Sequence, residues 1–193
     1  MPLDPIKIVQ QWFEEAIHAE PSTPEAMSVA TVDSKTGLPS LRLVLLRGVD
    51  ESGFVFYTNT KSRKGREIEK NSHVALALHW KSLGRQLRVE GVASKVPEAE
   101  ADKYFASRHR GSQIGAWASD QSATLENRQI LLNSIQQVEE KFKDKEVQRP
   151  AFWSGYRVKP QTIEFWEDRA DRLHVRNFYW LDGDLWSKKL LYP

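Results

Sequence analysis

Residues 73–96, HVALALHWKSLGRQLRVEGVASKV, contain two β-rich runs, His73–Trp80 and Arg85–Val96, separated by a short segment that ends in Gly84. Aliphatic, β-branched and aromatic residues favour strands, and glycine or polar clusters between such runs favour turns. Because the two runs are long and the segment between them is short, they predict neighbouring antiparallel strands. The same pattern recurs toward the N-terminus and predicts an antiparallel meander that includes residues 27–32, 40–47 and 54–58.

The C-terminal part of the chain returns to a β pattern. Residues 156–166, 172–181 and 185–190 are predicted strands, and Asp182-Gly183 between the last two is a strong hairpin signal. Seven or eight short strands with helices inserted between them predict a small, mostly antiparallel β-barrel of the α+β class. At ~150 residues per domain, the length of 193 residues indicates a single domain, residues 1–193.

Helices are predicted before, within and after the first group of strands. Asp4 is a suitable N-cap and Pro5 a suitable first helical residue, and apolar residues at helical spacing extend the pattern over residues 5–18. Ser62 is expected to cap a short helix that runs to Asn71, and Pro97 to open another helical stretch. A longer helix is predicted over residues 125–142.

Composition excludes several classes of protein. The chain has no cysteine, so disulfides, thiolate metal sites and cysteine nucleophiles are excluded. The net charge of +2 argues against nucleic-acid binding through bulk electrostatics. The longest apolar run has about five residues, whereas a membrane-spanning helix needs ~20. We therefore expect no membrane association, and because the first residues lack the pattern of a secretion signal, we expect a cytoplasmic protein.

Basic and hydroxyl side chains form a first candidate site. Arg42 and Arg47 lie on one predicted strand, and Tyr57 and Thr58 end another. Residues 61–66, KSRKGR, lie at a predicted helix start. Guanidinium, ammonium and hydroxyl groups beside a helix N-terminus suit a dianionic phosphate. A solvated basic surface is the alternative. The sequence has no Walker-type loop and no GxGxxG, so side chains would provide most of the phosphate contacts.

Tyr104, Arg108 and Ser112 form a second candidate site. Tyr104 and Arg108 are four residues apart, so they share one face of the predicted helix and can converge on one ligand group. Ser112 joins them if the helix continues, or if the chain turns back, past Gly111. An ordinary polar helix edge is the alternative reading.

The segment RLHVR, residues 172–176, forms a third candidate site. On a regular strand Arg172, His174 and Arg176 project to one face, and we expect no carboxylate near them. Like charges on one face repel unless an anion or solvent separates them, so this pattern indicates anion binding. The other histidines occur singly and are interpreted as ordinary surface or core residues.

Two other kinds of catalytic site lack sequence support. There is no HExxH or similar spacing for a metal, and no GxSxG elbow for a serine nucleophile. Seven tryptophans, Trp117, Trp153 and Trp166 among them, offer surfaces for a flat aromatic ring, although core packing explains most tryptophans. Residue patterns alone thus predict a β-barrel domain that binds phosphorylated ligands.

At these three sites the sequence resembles the pyridoxine/pyridoxamine 5′-phosphate oxidase family. The matching motifs follow one another in the family's order over nearly the whole chain, and this shared order is highly specific, although each motif alone is weak. The stretches that carry it are DPIKIVQQWFEEA (4–16), MSVATVD (27–33), RLVLLRG (42–48), GFVFYTNTKSRKG (53–65), RQLRVEG (85–91), YFASRHRGSQIGAWASDQS (104–122), IEFW (163–166), RLHVR (172–176) and LLYP (190–193).

The resemblance implies a split β-barrel, a homodimer, and flavin mononucleotide (FMN) held at the subunit interface. It implies cofactor contacts from Arg42, Leu43, Val44, Leu45, Leu46, Arg47, Tyr57, Thr58, Arg63, Lys64, Gln86, Gln121, Ser122, Trp166 and Arg176. It implies substrate contacts from Arg47, Tyr104, Arg108, Ser112, Arg172 and His174, of which Arg172 and His174 are the catalytic pair.

The implied activity is oxidation of pyridoxamine 5′-phosphate or pyridoxine 5′-phosphate to pyridoxal 5′-phosphate, with dioxygen as acceptor and hydrogen peroxide as product. The alternatives are a split-barrel oxidase of another substrate, such as a phenazine precursor, a non-catalytic flavin or pyridoxal-phosphate carrier, and a nucleic-acid-binding module. Three positions depart from the family pattern: Arg47 replaces a lysine, Val175 replaces the acid of RLHDR, and His109 replaces a proline. We expect Val175 to tune the site without abolishing it.

Overall fold

The structure is a computed structural model that describes residues 4–193. The prediction that the N-terminus lacks a secretion signal rests in part on residues 1–3, which lie outside the described residues. The structure contains five α-helices and nine β-strands in the described residues. The elements are α1 Pro5–Ala19, β1 Ala26–Val32, β2 Pro39–Leu45, β3 Gly48–Asp50, β4 Gly53–Asn59, α2 Arg63–Lys70, β5 His73–Trp80, β6 Arg85–Lys95, α3 Glu98–Ala106, α4 Arg110–Ala118, α5 Arg128–Lys141, β7 Trp153–Glu167, β8 Val175–Asp182 and β9 Leu185–Leu191.

The nine strands form one antiparallel sheet, in which seven follow the order β2-β1-β5-β6-β7-β4-β3, β8 pairs with β7, and β9 pairs with β8. The long strand β7 pairs along its N-terminal half with β4 and along its C-terminal half with β8, while β6 lies on its other side. The α+β class and the antiparallel pairing are therefore confirmed. The predicted meander is confirmed for the neighbouring pairs β1–β2 and β5–β6. It is wrong for the rest of the order, because β1 also pairs with β5, and β4 pairs with β7 instead of with β2 or β5.

Helix α1 covers the open face of the sheet. The Asp4 carboxylate accepts a hydrogen bond from the Ile6 N–H at 3.2 Å and Pro5 is the first helical residue, as the sequence predicts. The Trp12 ring meets the edges of Trp80 and Phe165 in the core, with ring centroids 6.4 and 5.0 Å away. These contacts bury the apolar stripe of α1 against the sheet.

The predicted helical stretch after Pro97 is two helices. Helix α3 ends at Ala106, and α4 begins at Arg110, so Arg108 lies in the connection and Ser112 in the first turn of α4. The predicted helix over residues 125–142 is confirmed in type, with bounds Arg128–Lys141. The longest of these helices, α1, has 15 residues, and no helix in residues 4–193 is long and apolar enough to span a membrane.

The predicted strand over residues 172–181 is wrong at its beginning. Residues Ala170–Arg172 form a 3₁₀ turn, and the strand β8 starts only at Val175. Asp171 and Arg172 have φ values of +56° and +60°, in the left-handed region that no regular strand adopts. Arg172 and His174 therefore belong to a strained connection between β7 and β8, and of the predicted trio only Arg176 lies on a strand.

Candidate anion-binding active site

A cavity of about 820 Å³ opens between β2, β4, the N-terminus of α2 and the α3–α4 helices. This volume is in the range of small-molecule sites. The cavity brings the first two candidate sites together, and the predicted residues that line it are Arg42, Leu43, Val44, Leu45, Arg47, Tyr57, Thr58, Arg63, Lys64, Tyr104, Arg108, Ser112, Gln121 and Ser122. Leu46, predicted as a cofactor contact, is 2% exposed and packs in the hydrophobic core.

Lys64 projects its ammonium group into this cavity from the first turn of α2. Its Nζ donates to Thr58 Oγ1, Ser62 Oγ and Gln121 Oε1, each at 3.0 Å. Burial, followed by the charge of Arg42, lowers the pKa of Lys64 to about 8. Because all three acceptors are neutral, the charge of Lys64 has no carboxylate partner among the residues that the structure describes.

The Glu67 carboxylate pairs with two arginines that line the cavity, Arg42 and Arg63. This carboxylate accepts from Arg63 Nε at 2.8 Å, from Ser40 Oγ at 2.5 Å, and from the Thr31 hydroxyl. Arg42 NH2 lies 3.4 Å from the same carboxylate. Burial opposes ionisation of Glu67, but the hydrogen bonds from Ser40, Thr31 and Arg63 outweigh it and lower the pKa to about 2. Glu67 is therefore a permanently charged anchor.

Arg108 approaches the cavity from the α3–α4 connection. Its guanidinium carbon lies 4.7 Å from the centroid of the Trp153 ring, and its buried NH1 atom has no hydrogen-bond partner in residues 4–193. Burial lowers the pKa of Arg108, and the nearby charge of Arg47 lowers it further. An unpaired buried donor is costly, so Arg108 is arranged for a ligand with acceptor oxygens.

Three aromatic rings form a parallel stack on the wall of the cavity. Tyr57 and Tyr104 have ring centroids 3.9 Å apart, and the Trp153 ring lies parallel to both. Tyr57 Oη donates to Glu100 at 3.4 Å, and burial, aided by Glu100, raises the pKa of Tyr57 to about 12. The stack thus fixes Tyr104, whose hydroxyl stands near Arg108, without adding negative charge.

Sequence reasoning missed the supporting residues Glu67, Ser40 and Glu25. Glu25 pairs with Arg47 at 3.6 Å, and Glu67 pairs with Arg63 four residues earlier on α2. The spacing of Arg63 and Glu67 is a helical i,i+4 signal that was available in the sequence. The contacts of Ser40 and Glu25 depend on how β2 folds against β1, which no local pattern shows.

The remaining predicted residues form a second group, which we call the edge cluster: Gln86, Trp166, His174 and Arg176. Gln86, Trp166 and Arg176 lie side by side on β6, β7 and β8. The His174 ring packs over Trp166 at a centroid distance of 4.5 Å, and Arg172 is exposed in the preceding turn. Among the described residues, neither Arg172 nor any member of the edge cluster lines the cavity.

The expectation that the RLHVR segment lacks carboxylate neighbours is wrong. Arg176 forms a two-point ion pair with Glu164 on β7, at 2.7 Å from Nε and 3.0 Å from NH2. This hydrogen-bonded pair raises the pKa of Arg176. His174 Nδ1 lies 3.1 Å from Asp168 Oδ1. Both acids come from β7 or its end, so the sequence of the segment alone could not show them.

The fold and the site together define a split β-barrel protein with a cationic cavity that suits phosphorylated ligands. Comparison with known proteins then gives the family. Residues 13–142 match the sequence profile of pyridoxamine 5′-phosphate oxidase, and residues 153–193 match the C-terminal dimerisation region of pyridoxine 5′-phosphate oxidase. The chain belongs to the pyridoxamine 5′-phosphate oxidase family.

Individual relatives agree with this assignment. The pyridoxine/pyridoxamine 5′-phosphate oxidase of Novosphingobium aromaticivorans is 53% identical over 191 residues, covering 98% of this chain and 94% of the relative. The enzyme of the same name from Gluconobacter oxydans is 53% identical over 190 residues, with the same coverage.

A solved structure confirms the fold. PhzG from Burkholderia lata 383, in complex with tetrahydrophenazine-1-carboxylic acid, superposes with a TM-score of 0.93 at 32% identity, covering all of this chain and 94% of PhzG. A pyridoxamine 5′-phosphate oxidase-related, FMN-binding protein from Nostoc punctiforme has a TM-score of 0.79 at 15% identity, with full coverage of both chains. The expected split β-barrel is thereby confirmed.

Proposed function

We propose that the protein oxidises pyridoxamine 5′-phosphate or pyridoxine 5′-phosphate to pyridoxal 5′-phosphate, using bound FMN and dioxygen. The observation that carries the proposal is the pair of cations, Lys64 and Arg108, that lie in one cavity without carboxylate partners in the described residues. Two uncompensated cationic groups suit two phosphates, one on the cofactor and one on the substrate. The relatives at 53% identity carry the name of this activity.

The residues of the cavity fit FMN. Arg42, Arg63 and Lys64 provide positive charge, and Thr58 and Gln121 provide polar atoms within reach of Lys64. A phosphate oxygen would replace one neutral acceptor of Lys64 and gain a charge-assisted bond, so the pKa lowered by burial would recover. When bound, FMN supplies the redox chemistry, taking a hydride from the substrate 4′-carbon and passing two electrons to dioxygen to form hydrogen peroxide.

Four residues are proposed to hold the substrate phosphate: Arg47, Tyr104, Arg108 and Ser112. All four line the cavity, although they come from the β2–β3 connection, from α3, from the α3–α4 connection and from α4. Trp153 supports the Arg108 guanidinium, and Tyr57 supports the Tyr104 ring. Arg47, which replaces the lysine expected from the resemblance, offers a planar fork of donors in place of a point charge.

Arg172 and His174 are proposed to position the substrate ring and its 4′ group. Binding two reactants in a fixed orientation supplies much of the rate enhancement when a cofactor does the chemistry. His174 is suited to this role because Trp166 and Asp168 fix its ring. With the amine substrate, water replaces the nitrogen and ammonia is released.

We further propose a homodimer in which one active site uses the cavity of one copy and the edge cluster of the other. Three features support this arrangement. The edge cluster does not line the cavity of its own chain in residues 4–193, and Trp166, His174 and Arg176 belong to the matched dimerisation region. On the edge strand β2, beside the cavity, Leu41 and Leu43 are 67% and 69% exposed, as expected for a surface that another chain covers.

The alternative functions make different predictions. PhzG shares the fold, but the phosphate-binding set Tyr104, Arg108 and Ser112 favours a phosphorylated substrate over a phenazine precursor. A carrier would bind FMN or pyridoxal 5′-phosphate without turnover. A nucleic-acid-binding module would show salt-dependent binding of oligonucleotides.

The test is the visible absorption spectrum of the FMN-loaded protein before and after anaerobic addition of pyridoxine 5′-phosphate. We expect the flavin band to bleach, and to return with release of hydrogen peroxide when air is admitted. Unphosphorylated pyridoxine and tetrahydrophenazine-1-carboxylic acid serve as matched controls. A flavin band that pyridoxine 5′-phosphate leaves unchanged would overturn the proposal, and bleaching by the phenazine compound alone would favour the PhzG-like alternative.

A further inference from the structure

Asp168 is held rigidly at the point where β7 ends. Its backbone N–H donates to the Gly84 carbonyl at 2.8 Å, in the turn that connects β5 to β6. Gly84 has a φ of +59°, and a Cβ added there would lie 3.2 Å from the Asp168 Cβ, so the two residues are closely packed. The backbone position of Asp168 is therefore set by the sheet, while its side chain is 62% exposed.

His174 is fixed on two sides. Its ring packs over Trp166 at 4.5 Å, and its Nδ1 lies 3.1 Å from Asp168 Oδ1. The side chain is only 17% exposed. The left-handed residues Asp171 and Arg172 turn the chain so that His174 returns over the end of β7. Backbone strain of this kind persists where the surrounding structure holds it, and it is common at functional sites.

The two polar neighbours of His174 Nδ1 require opposite forms of the imidazole. The Asp168 carboxylate accepts hydrogen bonds only, so it requires a proton on Nδ1. The backbone N–H of Arg169 points at the same Nδ1 from 3.3 Å, so it requires a lone pair there and a proton on Nε2. A neutral imidazole carries one proton, and therefore only one of these contacts forms at a time.

We propose that Asp168 is a positioning residue that keeps the neutral His174 protonated on Nδ1, which leaves the Nε2 lone pair free to accept a hydrogen bond from the substrate. Asp168 Oδ1 lies closer to Nδ1 than the Arg169 nitrogen does, at 3.1 against 3.3 Å. The Arg169 N–H meets hydrogen-bond geometry in this structure, whereas a bond from Nδ1–H to the carboxylate would be charge-assisted. This inference rests on the proposed function of His174.

The proposal has a chemical consequence for turnover. The alcohol or amine on the substrate 4′-carbon can donate to Nε2, whereas the aldehyde oxygen of the product can only accept. An Nε2 without a proton therefore binds the substrate better than the product. Removing Asp168 leaves the Arg169 N–H as the remaining neighbour of Nδ1, so the proton moves to Nε2 and the preference reverses.

The tautomer is measured directly by two-bond ¹H–¹⁵N correlation NMR on the ¹⁵N-histidine-labelled protein at pH 8.5, with His174→Gln to assign the signals. We expect Nδ1–H in the unmodified protein and in Glu167→Gln, a matched control that removes a neighbouring carboxylate paired with Arg169. We expect Nε2–H in Asp168→Ala. Asp168→Asn retains an oxygen acceptor and is expected to retain Nδ1–H. An Nε2–H signal in the unmodified protein, or an unchanged tautomer in Asp168→Ala, would overturn the proposal.

Ligand binding to the FMN-loaded protein provides the second readout. In Asp168→Ala we expect kcat/KM for pyridoxine 5′-phosphate to fall about 3- to 10-fold, and the affinity for pyridoxal 5′-phosphate relative to 4-deoxypyridoxine 5′-phosphate to rise by a similar factor. The deoxy compound has a methyl group in place of the 4′ polar group, so its binding should not change. Equal loss of all three ligands would indicate a structural role and would contradict the proposal. Because the NMR arm needs neither cofactor nor substrate, failure of the oxidase function alone would leave the tautomer result intact.

Discussion

At the scale of single residues, the main feature of the cavity is a buried positive charge, Lys64, without a carboxylate partner in the described residues. Lys64 is 6% exposed and shares its three protons with neutral oxygens, while Glu67 fixes the neighbouring arginines. Burial of a cation without a counter-ion is unfavourable, so Lys64 lowers the stability of the ligand-free protein, and binding of the proposed phosphate would recover that free energy. This trade is typical of sites that select dianions.

The pKa of Lys64 predicts a pH-dependent cofactor affinity. In the ligand-free protein the ammonium loses its proton as pH rises through about 8, well below the ordinary lysine pKa, and a bound phosphate dianion opposes that loss. The dissociation constant of FMN should therefore rise by up to about tenfold per pH unit above pH 8. It is measured by fluorescence titration, with riboflavin as the control because it lacks the phosphate.

Two results bear on the Lys64 prediction. Lys64→Gln should weaken FMN binding roughly 10- to 150-fold at pH 7 and remove the pH dependence. A dissociation constant that stays flat between pH 7 and 9.5 in the unmodified protein would contradict it. The free energy of unfolding of the ligand-free protein should depend on pH in the opposite direction to FMN affinity. Between pH 8 and the ordinary lysine pKa, Lys64 is protonated in the unfolded chain and deprotonated in the folded one, so the folded protein gains stability from this group as pH rises.

Arg108→Ala tests the assignment of the substrate phosphate. A hydrogen bond to a charged group contributes about 1.5–3 kcal/mol. Losing the one from Arg108 should therefore raise the KM for pyridoxine 5′-phosphate roughly 10- to 150-fold, with a smaller effect on kcat. The loss should be partial because Arg47 remains in the cavity. Steady-state kinetics and an FMN titration are compared, and a variant that loses FMN first would show that Arg108 serves the cofactor instead.

At the scale of elements, the site depends on how β4 and β7 pair. Gly155 on β7 lies opposite Tyr57 on β4, and a Cβ added to Gly155 would come within 2.7 Å of the Tyr57 ring. The glycine therefore makes room for the ring stack that supports Tyr104 and Trp153. Glycine is required at this position by close approach and not by its φ angle.

Gly155→Ala should displace the Tyr57 ring and loosen this stack. Overpacking a tight contact typically costs about 1–3 kcal/mol, so we expect that loss of unfolding free energy in urea together with a higher KM for pyridoxine 5′-phosphate. Ala93→Gly, at a buried position of the neighbouring strand β6, serves as a control for a one-methyl change. Unchanged stability and KM in Gly155→Ala would show that the stack is not needed.

The elements also show which parts of the structure the sequence reveals. Caps and apolar spacing predict α1 within one residue of its end, and Asp182-Gly183 predicts the β8–β9 hairpin, because both signals are local. The alternation in residues 172–176 resembles a strand, but the left-handed Asp171 and Arg172 break it. Aspartate tolerates the left-handed region, so Asp171 is compatible with it, but no local rule places Arg172 there.

The candidate site follows the same division. The basic residues that line the cavity, Arg63 and Lys64 for example, are visible as a cluster at a helix start. Their carboxylate and hydroxyl supports are not, because Glu67 meets Ser40 across 27 positions and Arg176 meets Glu164 across neighbouring strands. Which basic residues gather at the cavity is therefore predictable from local chemistry, whereas the contacts that orient them depend on sheet topology.

At the scale of the whole molecule, the proposed function requires two copies of the chain. The cavity and the edge cluster lie on different parts of one sheet, and each holds part of the proposed residue set. The expectation of a single domain over residues 1–193 remains a prediction, supported by the pairing of β7 with both β4 and β6 across the two matched regions. A closed dimer with two-fold symmetry would form two such sites.

The most direct measurement is the activity of mixed dimers made from two inactive variants. One carries Arg63→Ala and Lys64→Ala in the cavity, and the other carries Arg172→Ala and His174→Ala at or beside the edge cluster. If each active site combines the cavity of one copy with the edge cluster of the other, random mixing gives heterodimers with one intact site. Oxidation of pyridoxine 5′-phosphate should then recover to about one quarter of the unmodified rate, as symmetric pairing requires. Mixed dimers that stay as inactive as either parent would contradict a shared site.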